Sequence, residues 1–306
     1  MKKILLATSA LVGFAGVAAA EVKLSGYAEI GIQGGNAGYE TQFHTDVVIN
    51  FDFSGASAGG LEFGGRVQLD DDGSSNPNGA PGFDDEAFWV SGAFGKVTMG
   101  ETDGAFDWAL SEIYMGTSIA DDHSTHAGAY WFTGLDGSYD NQIVRYEYSF
   151  GDFSGAVSAE MDDAGVGDAI LGLGVKWAGD MNGTAVNAGF GYQTANNVDV
   201  WGLSAGATMA NGIDVRVGYA DFDGSASWAG LGLGYTTGAL LVQANYGSYD
   251  TPLGNVDGFG LVANYDLGGG AVLMAGYGSG DAASWNQAGT LAGSDSTFSL
   301  GIGLSF

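Results

Sequence analysis

The sequence predicts an all-β fold, a transmembrane antiparallel β-barrel of about 16 strands, and three observations carry that expectation. The last ten residues alternate strictly, with Phe298, Leu300, Ile302, Leu304 and Phe306 on one side and Thr297, Ser299, Gly301, Gly303 and Ser305 on the other. Similar alternation recurs along the chain, and no convincing amphipathic helix is present to cover the apolar faces. Beyond residue 20 no run approaches the roughly 18 to 20 consecutive apolar residues of a spanning helix, so apolar strand faces must meet lipid around a closed sheet.

The chain opens on Met1-Lys2-Lys3, continues through an apolar stretch and reaches Ala18-Ala19-Ala20 before Glu21. This is the pattern of an export signal with a small-residue cleavage site, so residues 1–20 are expected to be removed, leaving one barrel domain over residues 21–306. Cys is 0, which excludes disulfides and thiolate metal sites. Gly is 56 and Pro 3, beside 7 Trp, 14 Tyr and 17 Phe; disordered Gly-rich chains are poor in aromatics and lack such alternation. With 8 basic against 36 acidic residues, the formal charge falls to about −30 once Lys2 and Lys3 leave, which disfavours nucleic acid and anionic lipid surfaces as partners.

The strands follow in order. Val22, Leu24, Ala28, Ile30 and Ile32 oppose Lys23, Ser25, Tyr27 and Glu29 over residues 21–33; Phe43, Val47, Ile49, Phe51 and Phe53 oppose His44, Asp46, Asn50 and Asp52 over 42–54. Leu61, Phe63, Val67 and Leu69 oppose Glu62, Arg66, Gln68 and Asp70, and shorter pieces cover 85–94 and 96–101. Past the middle come 141–150, 153–162, 168–178, 184–194, 198–210, 213–223, 227–237, 239–249, 257–267, 271–279 and 297–306. Connections at 55–60, Gly95, Gly151-Asp152, Asn211-Gly212, Gly238 and Gly268-Gly269-Gly270 are tight turns suited to one rim. Longer polar insertions at 70–84, 281–295 and above all 102–140 belong to the other.

Strand phase puts Lys23, Arg66, Arg145, Lys176 and Arg216 opposite the apolar side chains, while Lys96 follows a Gly at a tight turn. In a barrel that face is the lumen, since a cation at the lipid midplane costs about 2–4 kcal/mol. The insertion at 102–140 carries Asp103, Asp107, Glu112, Asp121, Asp122, Asp136 and Asp140 and no Lys or Arg, with aromatics Phe106, Trp108, Tyr114, Tyr130, Trp131 and Phe132 that argue for order. Two arrangements remain open on this evidence: an acidic loop over the outer mouth, or one folded into the pore that narrows it and sets carboxylates against wall cations.

Other constellations are weaker. Asp122-His123 and His126 make a poor zinc signature and read as solvated loop residues. Asp70-Asp71-Asp72 and Asp84-Asp85-Glu86 lack the spacing of a helix-loop-helix calcium loop and read as solvated charge. The run from Gly230 to Gly234 alternates like a strand and opens no helix, which rejects a dinucleotide loop. No nucleophile motif surrounds any Ser.

Glu21 to Gly26 (EVKLSG), Ser54 to Gly65 (SGASAGGLEFGG), Trp89 to Glu101 (WVSGAFGKVTMGE), Tyr265 to Ala271 (YDLGGGA) and the terminal Phe306 together resemble the Gram-negative general porins, specifically their alphaproteobacterial, Rhodobacter-type branch. The resemblance spans the mature chain. It implies a sixteen-stranded barrel in the outer membrane, a homotrimer, and passive diffusion of ions and small hydrophilic solutes. It also implies that the loop at 102–140 folds inward, so that its seven carboxylates face wall positions such as Lys23, Arg66 and Arg145, and that Phe306 is read by outer-membrane assembly machinery. No cofactor is required, and calcium is a candidate ligand of the loop carboxylates. Relatives of this kind often gather several basic residues on the wall; here five lumen candidates spread over five strands, so a cation preference is expected. Two competing functions are a sugar-specific channel with an aromatic track of Trp108, Tyr114, Tyr130 and Trp131, and a barrel hydrolase using Ser with His44, His123 or His126.

Overall fold

In a computed structural model the chain is described over residues 21–36, 40–70, 82–139, 142–162, 164–281 and 296–306. Residues 1–20, expected above to be an export signal, Asp140, and most of the insertions at 70–84 and 281–295 lie outside these residues. Sixteen strands close on themselves: β1 (Glu21–Gly35), β2 (Gln42–Ala56), β3 (Glu62–Asp70), β4 (Gly82–Gly92), β5 (Gly95–Glu101), β6 (Gln142–Phe150), β7 (Phe153–Glu160) and β8 (Ile170–Met181) form the first half. The second half is β9 (Thr184–Ala195), β10 (Val198–Met209), β11 (Ile213–Phe222), β12 (Ala226–Thr237), β13 (Leu240–Thr251), β14 (Gly254–Gly268), β15 (Ala271–Gly280) and β16 (Ser296–Ser305). Every strand pairs antiparallel with its sequence neighbour, and β1 pairs with β16 in the register Tyr27↔Ser305 to Gly35↔Thr297. Closure leaves no edge with unpaired backbone, the condition lipid imposes on a sheet.

The ladder runs to the last residue: Gly26 N donates to Phe306 O at 2.8 Å and Phe306 N to Gly26 O at 3.0 Å. The tight turns have the backbone their residues favour. Asn182 and Gly183 (φ 58° and 84°) and Asn196 and Asn197 (φ 51° and 63°) hold left-handed conformations, the twist a two-residue hairpin needs and one that Asn and Gly adopt most readily.

The outer face is apolar. On β12 Leu231 and Leu233 are 43% and 51% exposed while Gly230, Gly232 and Gly234 point inward. Aromatic pairs mark both ends of this band, Phe150–Phe153 beside the 151–152 turn and Trp201–Tyr219 toward the opposite rim, as expected where rings sit between lipid and water. All sixteen predicted strands agree with the structure to within three residues at either end. Among the described residues the one helix, α1 (Ala105–Ala109), is too short to leave a periodic signal in the sequence.

Replacing Leu231 with Arg should destabilise the folded barrel by about 2–4 kcal/mol, because the outward side chain sits near the middle of its strand, in the lipid band. Denaturant titration in lipid vesicles measures this, and Leu231→Ala supplies the control without a charge.

Candidate functional site

Residues 102–139 do not cap the barrel. They run along its inner wall, and the wall is shaped for them. On β8 to β16 the inward positions are repeatedly Gly, and a Cβ at many of them would collide with the loop: at Gly174 with Ala105 O, at Gly189 with Ala109 O, at Gly232 with Ile113 O, at Gly260 with His123 O and at Gly278 with Asp122 O. Backbone lies against backbone, a distance that Gly alone permits.

Such contact buries loop N–H and C=O groups, each of which costs free energy unless paired. Wall side chains supply the partners. Ala105 N donates to Ser158 Oγ at 2.8 Å, Ser111 N to Ser204 Oγ at 3.0 Å, Met115 N to Gln243 Oε1 at 2.7 Å and Leu135 N to Gln193 Oε1 at 2.7 Å. Loop carbonyls accept from Lys176 Nζ (Trp108 O, 3.0 Å), Arg216 Nη1 (Tyr114 O, 2.8 Å), Asn245 Nδ2 (His123 O, 3.0 Å), Trp228 Nε1 (Gly128 O, 2.8 Å) and Tyr249 O–H (Ala129 O, 2.9 Å). Between them Phe106, Tyr130 and Phe132 bury against Trp228, Phe222 and Tyr249, with ring centroids 5.0 to 6.3 Å apart across the cluster. The hydrophobic core of this protein therefore lies inside the barrel.

Because the loop adheres to β7 to β16, open space remains against β1 to β6. One opening of about 620 Å³ is lined by Arg66, Lys96 and Arg145 and by the carboxylates Asp52, Asp85, Glu101, Asp103, Asp107 and Asp136. A second, of about 440 Å³, is lined by Glu29, Asp46, Asp70 and Asp121 together with Tyr27 and His44, and by no Lys or Arg. Arg66 Nε pairs with Asp52 at 2.8 Å, Lys96 Nζ with Glu147 at 3.2 Å, and Glu29 holds His44 Nε2 at 2.9 Å.

The predicted site residues divide into groups. Asp103, Asp107 and Asp136 stand beside Arg66 and Arg145 at the larger opening, and Asp121 lines the smaller. Asp122 is 2% exposed and turns to the wall, accepting from Ser299 Oγ at 2.7 Å. Glu112 is half-buried, and Asp140 lies outside the described residues. Lys176 and Arg216 bind loop carbonyls, and Lys23 is exposed at the start of β1. His123 and His126 are 0% and 6% exposed, which corrects their reading as solvated: the tip of the loop carries them against Gly258, Gly260 and Asn245. Among the described residues no group of three His, Asp or Glu converges to hold a metal ion. The sequence reading gave no pore role to Lys96, Asp52, Asp85, Glu101, Asp46 and Asp70, setting Lys96 at a turn, Asp46 and Asp52 on a polar strand face, and Asp70 and Asp85 in clusters of solvated charge, whereas all six line the openings. Phase was the available signal for Lys96, which shares the inward face of β5 with buried Thr98.

Desolvation dominates the loop's titration. Burial, then repulsion from Asp103, Glu112 and Asp136, pushes Asp107 up to about 9. Burial raises Asp136 to about 7 against the lowering effect of Gly104 N–H and Gln193. Asp121 touches lumen water yet sits deep among protein atoms; that desolvation, with Glu29 and Asp122 nearby, lifts it to about 6. Burial holds His123 and His126 down at about 4, so both are neutral near pH 7.

A closed sixteen-stranded barrel with an apolar exterior and a charged, loop-narrowed lumen defines a water-filled membrane channel. The sequence profile described as Gram-negative porin matches residues 7–283, and the chain belongs to that family. It is 30% identical to a porin of Rhodobacter capsulatus over 94% of this chain and all of that one. Among solved structures, a porin refined at 1.8 Å superposes with a TM-score of 0.72 at 24% identity, covering 94% of this chain and all of that one. A triple mutant of Rhodopseudomonas blastica porin superposes with a TM-score of 0.69 at 19% identity over the same shares. The chain is thus an outer-membrane porin, and its fold and family point to a channel rather than an enzyme.

Two outcomes follow from this geometry. Gly232→Val should push the loop into the lumen and lower single-channel conductance while the barrel still assembles, as single-channel recording with circular dichroism would register. A carboxylate with a raised pKa is neutral below it and charged above it, so preference for cations should grow between pH 5 and pH 8 as Asp121 and then Asp136 ionise, near 6 and near 7. Reversal potentials across that range test the sign.

Proposed function

We propose that this porin passes ions and small hydrophilic solutes by passive diffusion and prefers cations, working as a homotrimer without a catalytic step. One observation carries the preference: the two openings beside the loop are lined by ten carboxylates against Arg66, Lys96 and Arg145. With Asp107 protonated near neutral pH and Asp136 near its midpoint, the balance stays negative. Screening over about 8–10 Å leaves a narrow passage responsive to charges on its own walls.

An aromatic sugar track has less support. Tyr130 is 3% exposed inside the loop-to-wall cluster, and Trp108 has Lys176 Nζ 3.7 Å from its ring centre. A hydrolase has less still: Ser118 Oγ lies 3.0 Å from His123 Nδ1, but Ser118 is 0% exposed and donates to Asp122 rather than standing free to attack. Phe306, 67% exposed at the end of the ladder, fits a terminal signal for assembly machinery. Calcium on the loop carboxylates is retained as a proposal, and conductance in chelator and in added calcium tests it.

Purified protein in a planar bilayer under a potassium chloride gradient should give a cation-favouring reversal potential and conductance in steps of three. Asp103→Asn combined with Asp136→Asn should reduce the potassium-to-chloride permeability ratio about two- to threefold, the effect of one or two charges at a few ångströms in screened water. An anion-favouring potential in the unmodified protein would overturn the reading.

A further inference from the structure

Trp108 occupies an unusual position among the loop residues. It sits on α1, its ring centre 3.7 Å from Lys176 Nζ and 5.9 Å from the Arg145 guanidinium carbon, while its own carbonyl accepts from Lys176 Nζ at 3.0 Å. Arg145 is drawn the same way: its Nη1 donates to the Asp103 carbonyl and to Thr102 Oγ1 at 3.3 Å, and the residue is 7% exposed. Two of the wall cations thus converge on one indole and the backbone around it. Neither appears among the side-chain ion pairs of the described residues, although Asp103 and Asp107 line the same opening as Arg145.

We propose that Trp108 is a selectivity-determining residue, holding Lys176 against the loop and outside the larger opening, so that Asp103 and Asp107 act on permeating ions without this further cation beside them. An aromatic face attracts an ammonium or guanidinium without neutralising any carboxylate, which is what separates this arrangement from a salt bridge. Removing the indole would free the long Lys176 side chain to swing toward Asp103 and Asp107, and pairing there would cancel charge where it acts on passing ions. Lys176 is the better indicator of the two, because losing the indole leaves its ammonium with the main-chain carbonyl of residue 108, whereas Arg145 already lines the opening and keeps the carbonyl of Asp103 and the hydroxyl of Thr102.

This inference rests on the cation preference proposed above, and its test separates the two. Permeability ratios for potassium over chloride are measured for the unmodified porin, Trp108→Ala, Lys176→Gln and the double variant, each confirmed as folded by circular dichroism. Trp108→Ala should lower the ratio about two- to threefold, the shift expected when a unit charge moves from behind the loop to within a screening length of the ion path. Lys176→Gln alone should change the ratio less than it does in the Trp108→Ala background, where adding it should recover at least half of the loss. Trp108→Phe, which keeps a ring face with less disturbance of the loop, should lie near the unmodified protein and covers the case in which the alanine variant does not fold. If Lys176→Gln alone lowers cation preference, or raises it as much as it does in the Trp108→Ala background, the lysine is not held back and the proposal fails. An unchanged ratio in folded Trp108→Ala also overturns it. An unmodified channel that favours chloride would refute the cation preference alone, since the non-additivity of the two substitutions is read independently of the starting sign.

Discussion

The close approach of one stretch of backbone to the inner wall of a barrel governs this protein. Residues 102–139 lie against strands whose inward positions are so often Gly that carbonyls of the loop rest where a Cβ would stand, at Gly174, Gly232 and Gly278 among others. From that contact follow the burial of loop polar groups, the wall side chains recruited to pair them, the aromatic cluster around Trp228, and the side of the lumen on which water and ions pass. A barrel of sixteen strands with ordinary inward side chains would have no room to seat a loop in this way.

The contact also decides what the few cations do. A lumen wall with five basic residues would be expected to present them all to solutes. Instead Lys176 and Arg216 are committed to the carbonyls of Trp108 and Tyr114, and Arg145 divides itself between the loop backbone and the larger opening. The Trp108 carbonyl satisfies Lys176 without consuming a carboxylate, Arg216 adds an ion pair with Asp214 at 3.3 Å, and Arg145 serves both the loop and the water-facing wall, whereas Arg66 and Lys96 pair with the wall carboxylates Asp52 and Glu147. The same burial that anchors the loop depresses its own acidity, most strongly at Asp107, and so moderates the negative potential that composition alone suggests.

Adhesion of the loop to β7 to β16 makes one half of the wall a support and leaves β1 to β6 as the functional face. The buried imidazoles of His123 and His126 belong to the support: the first touches Ser118 through Nδ1 and the second Asn245 through Nε2, and neither opens toward water. The pair formed by His44 and Glu29 belongs to the functional face, on the wall of the smaller opening.

The barrel was legible from sequence because lipid on one side and water on the other impose a period of two on every strand, as in Phe298 to Phe306, and because turn chemistry such as Asn182-Gly183 marks the rims. The lumen side of Lys23, Arg66, Arg145, Lys176 and Arg216 follows from the same period, which also holds for Lys96 once its strand is placed. Which of these cations meets water was decided only by the tertiary structure. A period states which face a residue takes, whereas the partner it meets there depends on where a distant loop comes to rest. The inward glycines were visible in sequence as a pattern without a reason, and the reason, the backbone lying on them, belongs to a segment as far away in sequence as Asp122 is from Gly278.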